Sequence, residues 1–277
     1  MRKKLVLLLM AAAVFSWGCS KKEPDHLVLV EGGTAIAVST VATREAPAIE
    51  DFYIGKYEIT QEEWTKVMGS NPSAFKGRHL PVDSVSWYDS IEYCNRRSEK
   101  EGLIPYYKIE KQNPDPENIC DHDDIRWTVT TVEGANGYRL PTEAEWTYAA
   151  GGGSKSQKYI YSGSSDEEET VWYWRNAGKE YLKGDWYWPD IEANQNQTHP
   201  VGSKKANELG IFDMSGNVRE WCFDWYQDAA IPNGFYRVWK GGGWVGDVTS
   251  CRISYRGKFE PNGIGADMGL RVCRDRG

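Results

Sequence analysis

From Gly151 to Pro200 the sequence has neither the 3.6-residue period of an amphipathic helix nor the two-residue period of a half-buried strand, and no repeat appears. "GGGSKSQ" and the acidic "SSDEEET" lead into "VWYWRN" and "GDWYWPD". A stretch this long without regular structure has to be fixed by its side chains, and Trp and Tyr offer the largest buried area per residue for that purpose. The chain carries 13 Trp and 16 Tyr. Most of these rings are expected in the core, with the remainder lining a surface site. The regular strand–helix alternation of a doubly wound sheet is excluded.

Short, well-capped elements flank that stretch. "LVLVEGGT" reads as an apolar strand entering a Gly-Gly turn, and "FYIGKYEIT" as a strand that ends where a helix begins. Thr60 with Glu63, Ser86 with Asp89 and Thr142 with Glu145 each form an N-cap pair three residues apart, so each side chain can satisfy the other's free amide. Three short helices follow: one carries Trp64, Val67 and Met68 and stops at Gly69, the next turns Ile91 and Cys94 inward before Gly102, and the third buries Trp146 and Ala149.

The first residues are not part of this body. Met1-Arg-Lys-Lys is a positive region, Leu5 to Phe15 is an apolar run too short to span a bilayer, and Gly18-Cys19 closes it in the manner of an export signal with a lipobox. Residues 1–18 are expected to be removed and Cys19 to be acylated. Residues 19–26 then form a tether to the membrane, and residues 27–277 form one domain. The formal net charge of −7, with basic residues scattered, argues against nucleic acid as a partner. Cys94, Cys120, Cys222, Cys251 and Cys273 remain in the exported part, an odd number whose pairing the sequence leaves open.

Several segments in order resemble one family. "YEITQEEW", "PVDSVSWYDSIEYCN", "YRLPTEAEWTYAA", "HPVGSKKANELGIFDMSGNVREWCFDW" and "VWKGGGW…CRISYR…MGLRVCR" are similar to the successive signatures of the formylglycine-generating, or sulfatase-modifying, fold. The resemblance covers nearly all of the chain after the leader. It implies an α+β fold with limited regular secondary structure and a C-type-lectin-like C-terminal part. The family's enzyme binds copper with two cysteines separated by four residues and oxidises a substrate cysteine to formylglycine. Cys251 matches the second of that pair, but Gly246 stands at the first and offers no ligand. The other catalytic branch holds iron with histidines in an added domain. His26, His79, His122 and His199 show no i,i+4 pair, and "DHDD" around His122 reads as a solvated acidic loop.

The resemblance also implies structural calcium. Asp213, Gly216, Val218 and Glu220 match the positions of one site, and Asn176 resembles a ligand of a second, with Asp185 and Asp190 as candidate partners. The alternative for "FDMSGNVREW" is a turn held by its own hydrogen bonds.

Residues 237–277 carry the functional expectation. Gly241, Gly242 and Trp244 read as framework that fixes a strand, Arg252 and Arg256 as clamps on acidic groups, and "MGLRVCR" as a closing strand. Between them stand Val245, Gly246, Asp247, Val248, Thr249, Ser250, Tyr255, Gly257, Lys258, Phe259, Glu260, Ile264, Ala266 and Asp267, a chemically unrelated mixture, with Trp239 as either core or contact residue. This framework with heterogeneous fillings resembles the variable proteins of diversity-generating retroelements, the Treponema variable lipoprotein among them. The resemblance implies a monomeric, non-catalytic lipoprotein of the bacterial outer membrane or cell surface that binds a protein or glycan with those residues. The alternatives are a copper-dependent oxidase, disfavoured by Gly246, and an accessory lipoprotein with one fixed partner.

Overall fold

The computed structural model describes residues 26–34 and 47–277. The leader, the lipidation expected at Cys19 and nearly all of the tether lie outside the described residues. The elements run β1 (Leu27–Val30), β2 (Gly33–Thr34), β3 (Ala48–Ile49), β4 (Phe52–Gly55), α1 (Gln61–Met68), α2 (Trp87–Lys100), β5 (Tyr107–Pro114), β6 (Trp127–Thr131), α3 (Glu143–Ala150), α4 (Glu167–Thr170), α5 (Trp188–Ala193), β7 (Arg219–Trp225), β8 (Arg237–Lys240), β9 (Gly257–Phe259), β10 (Met268–Gly269) and β11 (Cys273–Asp275). This is a mixed α+β fold with sparse regular structure, as its capping signals and aperiodic middle imply.

All three reciprocal capping boxes form. Thr60, Ser86 and Thr142 each accept the amide of Glu63, Asp89 and Glu145, whose carboxylates accept the cap amides in return. Gly69 ends α1 in the left-handed region at φ 87°, where a side chain would be strained. One four-stranded sheet has the order β10-β7-β8-β9, with β10 parallel to β7 and the other neighbours antiparallel. A three-stranded sheet has the order β1-β4-β11, so the last strand closes on the first ones, Cys273 opposite Ile54. "MGLRVCR" thus supplies two short strands in different sheets rather than one.

β8 is buried along its whole length although it begins with Arg237 and ends with Lys240. The Arg237 guanidinium lies 3.8 Å from the Trp87 ring centroid and 3.4 Å from that of Trp225, and it donates to the carbonyl of Phe223. Burial pushes its pKa down to about 9. Lys240 is pushed down to about 8 for the same reason, while its Nζ donates to the carbonyls of Ile253 and Tyr255. These bonds tie β8 to the segment that follows it. That segment differs from its expectation: residues 241–244 form no strand, because Gly241 and Gly242 turn the chain at φ 86° and 71°. All five cysteines of the described residues are buried and free, and no disulfide forms among them.

Candidate functional site

The turn Ser215-Gly216-Asn217 is the pivot on which the C-terminal segment hangs. Gly216 and Asn217 both have positive φ, and a Cβ on Gly216 would lie 2.2 Å from the carbonyl oxygen of Trp172. The amide of Gly216 donates to Gly241 O, Asn217 N donates to Trp172 O, and Trp244 N donates to Asn217 O. The Asn217 amide group donates to Glu58 and to His199 O, and its oxygen accepts from His199 N. One residue therefore fixes four separate segments.

Beside this pivot the calcium expectation meets its physical test. Glu220 is fully buried and both of its oxygens accept from Arg271, at 2.7 to 3.2 Å, while Trp146 Nε1 adds a bond of 2.7 Å. Arg271 is as deeply buried, and Glu58 and Asp213 bear on it electrostatically. Burial, together with the neighbouring Asp213 and Glu220, holds the Glu58 carboxyl well above the usual carboxylate range. Burial likewise raises Asp213 to about 6. The amide of Val218 already donates to Glu58, and Gly216 is used in the pivot. Arg271 thus supplies the cation that faces Glu220, whereas Asp213 Oδ1 is buried without a hydrogen-bond partner. Asn176 is used differently as well. Its side chain closes a local turn with Tyr173 N and Val171 O and reaches Glu168. Asp185 and Asp190 are exposed on the loop beyond. Among the described residues no three His, Cys, Asp or Glu side chains gather in a metal-ligating group.

The C-terminal candidates separate into two exposed groups and a buried seam between them. The first group surrounds Trp244. Val245, Gly246, Asp247, Val248, Thr249, Ser250, Ile264 and Ala266 are exposed or half-buried there, and Trp244 Nε1 donates to Ala266 O. A short 3-10 turn, 248–251, is capped by Asp247, whose carboxylate accepts from Thr249 N. Gly246 has ordinary φ, and a Cβ there would meet first the hydroxyl of Ser250 at 2.9 Å, so the position can take a side chain with a small adjustment. The second group is Tyr255, Lys258, Phe259 and Glu260. Lys258 lies over the Tyr226 ring, and Phe259 stacks at 6.3 Å on the buried Trp221.

The seam corrects three expectations. Trp239 is only 6% exposed, packed beneath Tyr255 and under the Arg219 guanidinium at 4.7 Å, so it is core. A Cβ on Gly257 would lie 2.0 Å from Trp239, so Gly257 is required by packing rather than free to vary. Asp267 is buried, its carboxylate 3.0 Å from Arg219 Nε without hydrogen-bond alignment, and it blocks a Cβ on Gly243. Cys251 is also packed in. Burial pushes its thiol up to about 12, and its sulfur would meet a Cβ on Gly242 at 2.6 Å. With glycine at 246, the enclosed Cys251 has no second sulfur at the family's spacing to complete the two-thiolate set that suits monovalent copper. Of the expected clamps, Arg256 grips Glu143 with bonds of 2.6 and 2.7 Å, whereas Arg252 is exposed and bears on Tyr161.

A row of residues not expected at the surface adjoins the first group. Residues 183–190 are all exposed, and within them Trp186, Tyr187 and Trp188 are 50%, 58% and 44% exposed. Trp186 Nε1 donates to Val245 O at 2.9 Å, and Trp188 stands 6.4 Å from Trp244. The rings of "VWYWRN", by contrast, go mainly inward, Tyr173 and Trp174 being buried. A signal for the difference was present: "GDWYWPD" is bracketed by Gly184-Asp185 and Pro189-Asp190, turn formers that mark a loop tip.

Comparisons with known proteins accord with this geometry. The profile of the Sulfatase-modifying factor enzyme 1-like domain matches residues 15–276. A protein of Paenibacillus barcinonensis named Chaperone protein LppX is 56% identical over 280 residues, covering 100% of both chains. The Formylglycine-generating enzyme of Streptomyces coelicolor is 31% identical over 157 residues, which are 50% of this chain and 47% of that enzyme. Among solved structures, Treponema denticola variable protein 1 superposes with a TM-score of 0.69 at 29% identity, covering 89% of this chain and 95% of that one.

Proposed function

The chain belongs to the sulfatase-modifying factor enzyme 1-like family, and from that premise we propose that it is a non-catalytic binding protein of the bacterial envelope, carried on a lipid at Cys19, which captures another polypeptide at its C-terminal face. The observation that carries this reading is the state of the position where the family's oxidase keeps its copper pair. Gly246 replaces one thiol, and the other, on Cys251, is buried. Around it positions 245–250, 255, 258–260, 264 and 266, exposed or half-buried, offer chemically diverse side chains on a rigid seam. Exposed changes on such a support alter stability little and binding strongly. The full-length similarity to a protein named as a chaperone supports a polypeptide ligand.

The test is aggregation of reduced α-lactalbumin followed by light scattering. The purified chain is expected to delay it at equimolar ratio, and Tyr255→Ala with Ile264→Ala to lose most of the delay while keeping the melting temperature. No delay in large molar excess would overturn the reading. Copper-loaded protein given a cysteine-containing peptide is expected to form no formylglycine, and formation of it would restore the oxidase.

The similarity to Treponema denticola variable protein 1 favours a second reading of the same face, that its C-type-lectin-like fold carries side chains diversified between cells. Sequencing codons 237–277 across a population checks this. Substitutions confined to the exposed positions, sparing 239, 257 and 267, are the expected pattern, and a uniform sequence points to one fixed partner.

A further inference from the structure

The exposed row at residues 183–190 is outside the segment assigned above, yet it is built onto it. Eight consecutive exposed residues that include three large rings are unusual on a soluble surface, where contiguous apolar area of this kind marks a contact site. The row is also held in place. Gly184 turns it at φ 82°, Arg175 ties it down by donating to Leu182 O and Gly184 O, and Trp186 Nε1 is anchored on Val245 O. Rigid rings lose little conformational freedom on binding, which makes them effective anchors.

The polar groups around the rings select the occupant. Three of the donors near the row are used within the fold: Arg175 on two carbonyls, Trp186 on Val245, and the Asn194 amide group on Glu180 O and Asn196. What the row presents instead is acidic. Glu180, Asp185, Asp190 and Glu192 are exposed and none of them is ion-paired among the described residues, and these four carboxylates outnumber the three cations of the stretch, Arg175, Lys179 and Lys183. Asp247 extends the same sign across the Val245 contact. A neutral glycan would leave the carboxylates without a cationic partner, and an anionic headgroup or glycan would be repelled. A ligand that brings its own positively charged donors and apolar side chains meets both features.

On the footing of the binding function proposed above, we infer that Trp186, Tyr187 and Trp188 form a fixed aromatic anchor beside the C-terminal face and that its ligand is a basic, apolar polypeptide segment. The rings hold the apolar side chains, and the carboxylates of residues 180–192 and Asp247 receive lysine or arginine.

The experiment uses the whole purified chain and four probes. These are a fluorescein-labelled peptide of alternating Lys and Leu about twelve residues long, its Glu/Leu counterpart, neutral and anionic phospholipid vesicles, and a neutral β-glucan oligosaccharide. The Lys/Leu peptide is expected to bind in a salt-sensitive manner and the Glu/Leu peptide about tenfold or more weakly. Trp186→Ala with Trp188→Ala is expected to weaken the Lys/Leu peptide about tenfold or more with an unchanged melting temperature. A second variant, Asp185→Asn with Asp190→Asn and Glu192→Gln, keeps every ring and is expected to lose most of the preference for Lys over Glu. Full binding by the ring variant, or an undiminished charge preference in the carboxylate variant, overturns the inference. Ring-dependent binding of vesicles or oligosaccharide without peptide binding also overturns it. If the ring variant still delays α-lactalbumin aggregation while the Tyr255 and Ile264 variant does not, the anchor falls and the function of the C-terminal face stands; if neither variant matters, both fall.

Discussion

Two sets of tryptophans in this molecule differ in everything except their side chain. Trp87, Trp146 and Trp221 are fully buried, and each indole donates to a fixed acceptor: Cys222 O, Glu220 and Val85 O respectively. Trp186 and Trp188 are about half exposed, and Trp186 donates its indole N–H to Val245 O at the loop tip. The first set is part of a polar lattice that locks β7 to the body, and the second stands on that body. The difference teaches that a Trp-rich composition does two jobs here. A ring whose N–H is bonded to a buried charge or strand carbonyl specifies the fold, whereas a ring bonded at a loop tip leaves its faces available.

The lattice should break with the largest effect. Arg271→Met would leave Glu220 fully buried beside Glu58 and Asp213 with no cation between them. Removing one partner of a buried pair typically costs about 3–5 kcal/mol. In a domain of this size that corresponds to a fall on the order of 10 °C in melting temperature by circular dichroism. Adding Glu220→Gln should recover part of the loss, because it removes the stranded charge. A loss under about 2 °C for the single variant would mean that Trp146 and the pivot at Asn217 fix β7 without the ion pair.

A smaller effect separates the seam from the face it supports. Gly257→Ala forces a methyl group into Trp239 and should cost about 1–3 kcal/mol, while Gly246→Ala meets only a serine hydroxyl and should stay within about 0.5 kcal/mol. Urea unfolding of the two variants checks this. Equal midpoints would return Gly257 to the exchangeable positions.

These two glycines also show what the sequence could convey. The capping boxes at Thr60, Ser86 and Thr142 were legible because both partners lie within four residues, so local chemistry decides them. The framework of 237–277 was legible only through resemblance. That Gly257 and Asp267 belong to the seam depends on contacts with Trp239 and Arg219, which lie far from them along the chain, and no local pattern marks such contacts. The same holds for the ion pair of Glu220, whose partner Arg271 comes from fifty-one residues away. At residues 184–190 the loop signal was present, but the count of rings suggested core.

Protonation offers a finer probe of the lattice. Asp213 has its pKa raised to about 6, from an ordinary 3.8, chiefly by burial. A carboxyl raised on folding contributes stability that is fully present below about pH 4 and is lost as pH rises through about 6. Asp83 and Asp224, each also raised to about 6 by burial, act in the same direction. His26 and His199, lowered by burial, act oppositely, their contribution being lost as pH falls below the ordinary histidine value. The variant Asp213→Asn isolates one group: its amide oxygen can still accept from Gly202 N, and asparagine tolerates the φ of 59° at this position. Its melting temperature relative to the parent should therefore rise between about pH 4 and pH 7. A pH-independent difference would remove Asp213 from the titrating set.

The smallest effect on stability belongs to the exposed rings. Trp186→Ala removes a half-exposed side chain and one hydrogen bond to Val245 O, and Trp188→Ala removes a ring that only leans toward Trp244. Loop positions away from buried features usually change stability within about 0.5 kcal/mol, so the midpoint of unfolding should barely move in either variant. Trp186→Phe sharpens the test, since it keeps an apolar ring and removes only the N–H that anchors the loop. Amide exchange at Val245 and Gly246 should then accelerate in both Trp186 variants and stay slow in Trp188→Ala, because only the former release the loop from the C-terminal face. If Trp188→Ala instead unfolds the protein several degrees earlier, its ring is working as a fourth member of the buried set through Trp244, and the division between rings that hold the fold and rings that face a ligand has to be drawn between Tyr187 and Trp188 rather than at Gly184.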